Sequence, residues 1–115
     1  MREAGQFALS LIDRVRSVDW PKKGLPRLNL RIGLHAGPVY QCEDPVTGRT
    51  NYFGSHVSRA ARIEPITPAG YVYASQHFAA LAAAEGVREF RCNYVGQTPM
   101  PKGYGTFPTY VVLRR

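Results

Sequence analysis

Leu28-Asn29-Leu30-Arg31-Ile32-Gly33-Leu34-His35 alternates without a break. Leu28, Leu30, Ile32 and Leu34 fall on one side, and Asn29, Arg31, Gly33 and His35 fall on the other. A side-chain period of two is that of a strand with one face on a core, so a strand is expected over 28–35. Gly37-Pro38 then bends the chain or marks a bulge, and Val39-Tyr40-Gln41-Cys42 is read as a continuation.

Upstream of this strand, residues 2–18 read as an amphipathic helix. Phe7, Ala8, Leu11, Ile12, Val15 and Val18 recur at steps of three and four, and Arg2, Asp13, Arg14 and Arg16 take the wet face. Pro21, Gly24 and Pro26 end the helix and open a loop. Downstream, Glu43 to Arg49 is a polar turn or arm, and Thr50 to Phe53 is a short strand. Ser55 is a candidate N-cap for a helix that runs to about Glu64 and stops before Pro65. Gly70 to Ala74 reads as a strand. Ser75 caps a second helix over 76–84, which Gly86 terminates. Residues 88–95 form a strand, Pro99 to Gly105 a loop, and Thr106 to Leu113 a final strand. The order α-β-β-α-β-α-β-β points to an α+β fold, an antiparallel-rich sheet with helices packed on it.

The chain has 115 residues, 44% hydrophobic and 20% charged. That is one domain's length, with no internal repeat or linker. No apolar run approaches the roughly 20 residues of a membrane helix, and no leader pattern opens the chain. Cys42 and Cys92 are too few for a disulfide scaffold or a four-cysteine zinc site, so a reducing cytoplasm is the expected compartment. The formal net charge is +7, and 12 of the 15 basic residues are arginine. Arginine matches phosphate oxygens, which admits a nucleotide, a nucleic acid or an acidic protein surface as partner. Equally, such arginines can be solvated all over a surface. No basic run of five exists and no ribonucleoprotein pattern is present, which argues against nucleic acid. Asp13, Asp19 and Asp44 are the only aspartates.

Three stretches together carry a resemblance. They are Arg31-Ile32-Gly33-Leu34-His35-Ala36-Gly37-Pro38-Val39, then Asn51-Tyr52-Phe53-Gly54-Ser55-His56-Val57-Ser58-Arg59-Ala60-Ala61-Arg62-Ile63-Glu64, then Lys102-Gly103-Tyr104-Gly105-Thr106-Phe107-Pro108-Thr109-Tyr110-Val111. In this order they resemble the class III nucleotidyl cyclase catalytic domain, the adenylate/guanylate cyclase family. The resemblance covers nearly the whole chain but only the C-terminal portion of that domain, so residues 1–115 are expected to be part of a single catalytic domain. It implies an incomplete ferredoxin-like sandwich with its active site at a dimer interface. It also implies an intramolecular reaction, in which the ribose 3′-hydroxyl attacks the α-phosphate and pyrophosphate leaves. The product would be a 3′,5′-cyclic nucleotide used in intracellular signalling.

The resemblance assigns roles residue by residue. Arg62 matches the arginine that steadies the transition state. Ser58 stands four residues earlier, on the same helix face, where the family has asparagine. Serine is shorter and lacks an amide donor. Asn51 matches the base-reading position, which carries Asp or Thr in adenylate cyclases and Cys in guanylate cyclases. Its amide both donates and accepts, so it does not itself select a base. The resemblance makes ATP the expected substrate, with a pyrimidine-specific cyclase as an alternative. Lys102 falls in the loop that supplies a triphosphate-facing lysine, with the Tyr104 position as the other candidate.

The family's two metal-binding aspartates precede the segment that matches this chain. The expected Mg2+ or Mn2+ ions therefore have their ligands outside it, and no metal is expected on this fragment. Asp13 and Asp19 do not share a helix face, and Glu43-Asp44 reads as solvated. The fragment alone is expected to be inactive, and its partners to be a nucleoside triphosphate and either a second copy or the missing N-terminal part. A non-catalytic dimerisation or nucleotide-sensing module is the alternative, favoured by Ser58. More ordinary roles stand beside these readings. Arg62 could be an exposed arginine paired with Glu64, Arg59 a solvated or interface residue, Asn51 turn chemistry, and His35 a packed, hydrogen-bonded strand histidine. His56 follows the candidate cap. Gly33, Gly37 and Gly54 read as close-packing and turn glycines, since no P-loop or dinucleotide fingerprint is present.

Overall fold

The computed structural model describes all residues except 38, 39, 44, 54–58, 60 and 104. For residues 40–42, 50–53 and 102 it describes the backbone alone. The first helix, α1, spans Arg2–Ser17. Gly5, Ala8, Leu9 and Ile12 are its buried positions, spaced as one helical stripe. The stripe is rotated from the one read in the sequence, because Phe7 is 69% exposed. Gly5 explains the rotation: a Cβ there would overlap the Phe90 ring, so the bare backbone is where that ring docks. Val18 turns extended and ends the helix, and the Trp20 indole Nε1 donates to the Val15 carbonyl at 3.0 Å. A 3-10 turn follows at Pro21–Lys23.

Six strands follow: β1 (Ile32–Leu34), β2 (Tyr40–Glu43), β3 (Thr50–Phe53), β4 (Val72–Ser75), β5 (Phe90–Pro99) and β6 (Thr106–Arg114). Helix α2 spans Gln76–Ala84, between β4 and β5. Four strands form one sheet in the order β1-β4-β6-β5. β1 runs parallel to β4, and the other two pairings are antiparallel. Val72 and Ala74, two apart on β4, face the side on which both helices pack. There they form one core with Ala8, Leu9, Ile12, Phe78, Ala82, Phe90 and Val112. The architecture is the α+β, antiparallel-rich sheet with packed helices read from the sequence.

Three boundaries differ from that reading, each for a local reason. β1 begins at Ile32 rather than Leu28, because its partner begins only at Val72. Before that the chain meets Gly70, in left-handed backbone at φ +84°, and makes only the Gly70 N to Leu30 O and Ile32 N to Tyr71 O bonds. Leu30, Ile32 and Leu34 still pack against the core, while Leu28 stays 45% exposed. β2 does not continue β1: it pairs with β3 in a separate two-stranded hairpin, Tyr40 opposite Phe53 and Glu43 opposite Thr50. β5 runs four residues past the expected end. A bulge between Tyr94 and Gly96 lets the ladder continue to the Pro99–Thr106 pair, with Gly96 at φ +140°.

The second helix matches its sequence signals. Ser75 is in extended backbone, and its side chain accepts from the Phe78 N–H at 3.2 Å. Gly86, at φ +70°, closes the other end, with bonds from Gly86 N to Ala83 O and from Val87 N to Ala82 O. The expected helix over 55–64 is helical at residues 59 and 61–63. It tightens to a 3-10 turn over Glu64–Ile66 that takes Pro65 into its start. Ser55 and His56 lie outside the described residues.

Candidate functional site

Arg62 lies in the helical residues 61–63, so what fixes them fixes the arginine. Four contacts hold the C-terminal end of this segment. Ile63 is 1% exposed and is the segment's anchor. Gly33 on β1 turns its bare backbone to it: a Cβ there would lie 2.8 Å from the Glu64 amide nitrogen and 2.9 Å from the Ile63 Cβ. The buried Thr67 hydroxyl donates to the Ile63 carbonyl at 2.8 Å, satisfying an acceptor that the helix end leaves over. The Arg31 Nε lies 3.7 Å from the Glu64 carboxylate. Glu64 thus has Arg31, the residue just before β1, as its ion-pair partner. Arg62 itself is half-buried, with its Nε enclosed.

A fifth contact joins the same segment to the other side of the sheet. The Arg59 guanidinium lies 4.0 Å from the centroid of the Phe107 ring, a cation–π geometry. Partial burial draws the Arg59 pKa below its usual value, and the group stays protonated. Phe107 is the second residue of β6. Just before it, Met100 N bonds to Gly105 O at 2.8 Å and closes the loop that holds the 3-10 turn Pro101–Gly103. Lys102 is in that turn. Arg59 therefore clasps the helix bearing Arg62 to the hairpin bearing Lys102.

The remaining candidates are placed less closely. Asn51 lies on β3, opposite Cys42, with its backbone in the two-stranded hairpin. Ser58 and Tyr104 lie outside the described residues, as do the side chains of Asn51 and Lys102. The structure thus joins the supports of Arg62 and Lys102. Asn51 sits on a separate ladder. Sequence reasoning treated Arg59 as solvated or interfacial and assigned no role to Thr67. Nothing local in the sequence connects Arg59 to Phe107, because the pair is made by the fold. Thr67 had a weak signal, a hydroxyl four residues after the last helical residue.

His35 is the packed strand histidine that the sequence suggests. Its Nδ1 lies 2.6 Å from the Ser75 hydroxyl, and its ring stacks edge-on against His77 at 5.2 Å between centroids. The two described aspartates are engaged elsewhere. Arg114 holds Asp13 at 2.7 Å, and Asp19 faces Lys22 at 3.9 Å. Among the described residues no three His, Cys, Asp or Glu side chains converge, so they do not make a site for a divalent metal.

Comparison with known proteins gives one answer. The family model for the adenylate and guanylate cyclase catalytic domain matches residues 1–114. Among solved structures, the guanylate cyclase domain of RhGC from Catenaria anguillulae in complex with GTP is 26% identical, with a TM-score of 0.77. It covers 97% of this chain and 58% of its own. The non-canonical dimeric guanylyl cyclase domain of the RhoGC fusion protein from Blastocladiella emersonii is 25% identical, with a TM-score of 0.75. It covers 97% of this chain and 57% of its own. The adenylate cyclase of Neurospora crassa is 30% identical over an alignment of 89 residues that covers 63% of this chain and 4% of that protein. The chain therefore spans little more than half of the similar structures and a small part of the curated relative.

Proposed function

The chain belongs to the adenylate and guanylate cyclase catalytic domain family, and from that premise we propose that it forms one half-site of a nucleotidyl cyclase. The reaction converts a nucleoside triphosphate, ATP as first choice, to a 3′,5′-cyclic nucleotide and pyrophosphate. The observation that supports this most is the anchored helix end at Gly33, Ile63 and Thr67, which holds the Arg62 backbone in place. A preorganised cation costs no reorganisation when charge develops on the phosphoryl oxygens, and such groups are the largest single contributors to many rate enhancements.

In this reading Arg62 donates to α-phosphate oxygens as the 3′-oxygen attacks. The Ser58 hydroxyl contacts the ribose, with shorter reach than an asparagine amide. The Asn51 amide meets the base edge, and the Lys102 ammonium meets the outer phosphates as a point charge. Arg59 is a positioning residue, acting through the segment that carries Arg62. Mg2+ or Mn2+ would be held by carboxylates outside this chain, since the described acids here are paired or dispersed. Such an enzyme would work in the cytoplasm; no described helix is long and apolar enough to cross a membrane.

The test is cyclase activity with ATP and GTP in the presence of Mn2+. The chain alone should give no cyclic nucleotide. Joined to an upstream cyclase segment bearing two metal-binding aspartates, it should turn over, and Arg62→Ala should lower kcat by about 100-fold. Nucleotide binding without turnover in the joined protein would favour a sensing module, the reading that Ser58 in place of asparagine supports.

A further inference from the structure

One concavity lies away from Arg62, between α2 and the edge strand β5. It is a groove of about 550 Å3, within the usual range for small-molecule sites. One wall is Ala79, Ala80 and Ala83, whose small side chains leave the space open. Tyr110 lies along it, so a flat apolar body would meet aromatic surface there, while the Phe90 ring is buried in the core. Tyr110 is steadied by an edge-on contact with Tyr94, at 5.5 Å between ring centroids.

The charge in the groove is one-sided. Arg91 and Arg115 both line it, and none of the lining residues carries a side-chain carboxylate. The Arg115 Nε donates to the Phe90 carbonyl at 3.3 Å, which pins that side chain along β5. The acids at this end of the molecule are engaged elsewhere. Glu85 meets the N-terminal ammonium at 3.1 Å, and Glu89 meets Arg2 at 3.0 Å. Cys92 also lines the groove, and burial raises its thiol pKa, so it brings no negative charge at neutral pH.

We propose that this groove binds a small organic anion: a flat apolar body against Tyr110 and the alanine wall of α2, with its acidic group between Arg91 and Arg115. Both guanidinium groups are exposed at the groove, where an anion would accept charge-assisted hydrogen bonds from them. The inference stands on this groove alone and does not rest on the cyclase reading.

The probe is 8-anilinonaphthalene-1-sulfonate, followed by fluorescence with the whole chain. The proposal expects saturable binding at one site, weakened about tenfold or more by the double variant Arg91→Ala/Arg115→Ala. The neutral analogue N-phenyl-1-naphthylamine should bind about tenfold more weakly than the sulfonate. Ala80→Trp, which fills the groove from an exposed helix position, should also remove sulfonate binding. All variants are to be read only where thermal melting stays cooperative. Both arginines are exposed, so the double variant should meet that condition. Undiminished sulfonate binding in the double variant, or equal binding of the neutral analogue, would overturn the proposal.

Discussion

A methyl group at position 33 would sit 2.8 Å from the Glu64 amide nitrogen, on backbone that has no side chain to move aside. Gly33→Ala should therefore cost about 1–3 kcal/mol, the range for overpacking a close contact. Chemical denaturation measures this directly. A loss within a few tenths of a kcal/mol would mean that the helix end does not rest on β1. Gly33 read in the sequence only as a close-packing glycine on a strand, without its partner. Glu89 carries a second residue-scale prediction, in pH. Its own backbone N–H and then Arg2 draw its pKa down. A lowered carboxylate pKa contributes stability above the unfolded value, and that stability is lost as pH falls through the folded value. The melting temperature of Glu89→Gln should therefore lie slightly below that of the natural chain at pH 7. The two should converge as the pH falls through the carboxylate range. A gap that persists in acid would contradict the assignment.

At the scale of elements, the start of α2 and the clasp of Arg59 on Phe107 are the contacts most open to test. Ser75 both caps α2 and bonds to His35 at 2.6 Å. Ser75→Ala should cost at least about 1 kcal/mol, the usual worth of a cap. Arg59 and Phe107 should show a coupling energy of about 0.5–2 kcal/mol in a double-mutant cycle. Additive losses would mean the clasp is not made. The elements also show what the sequence could tell. α2 was legible from end to end, because Ser75, the alanine run and Gly86 are local signals that tertiary contacts did not override. β5 was cut short because Gly96 and Pro99 look like breakers. Only the pairing with β6 turns Gly96 into a bulge and carries the strand onward. α1 was found, yet its buried face was misplaced by Phe7, because the ring that docks on Gly5, that of Phe90, is 85 residues further along the chain. Arg62 was singled out in the sequence through its motif. Apart from Thr67, the contacts that hold it come from residues remote in sequence, and no spacing rule names them.

For the whole molecule, shape and charge bear on assembly. The Cα radius of gyration is 15.9 Å, against about 13 Å for a compact domain of this length. β1 sits at the outside of its sheet, paired on one side by β4. An open strand edge is a pairing surface, and a molecule this extended has surface to cover. Self-association that rises with concentration is therefore expected in sedimentation velocity. A single monomeric species across a hundredfold range of concentration would contradict it. The excess of arginine gains a place at this scale, for Arg59 and Arg62 ride one helical segment fixed against both β1 and β6. The central claim is that this segment presents Arg62 to a triphosphate in a site whose metals are held elsewhere. Cyclic nucleotide production with Mn2+ tests it most directly, comparing the chain alone, the chain joined to an upstream metal-binding segment, and the joined protein with Arg62→Ala. The account predicts no product from the first, turnover from the second and about 100-fold less from the third. Turnover by the chain alone, or full activity without Arg62, would contradict it.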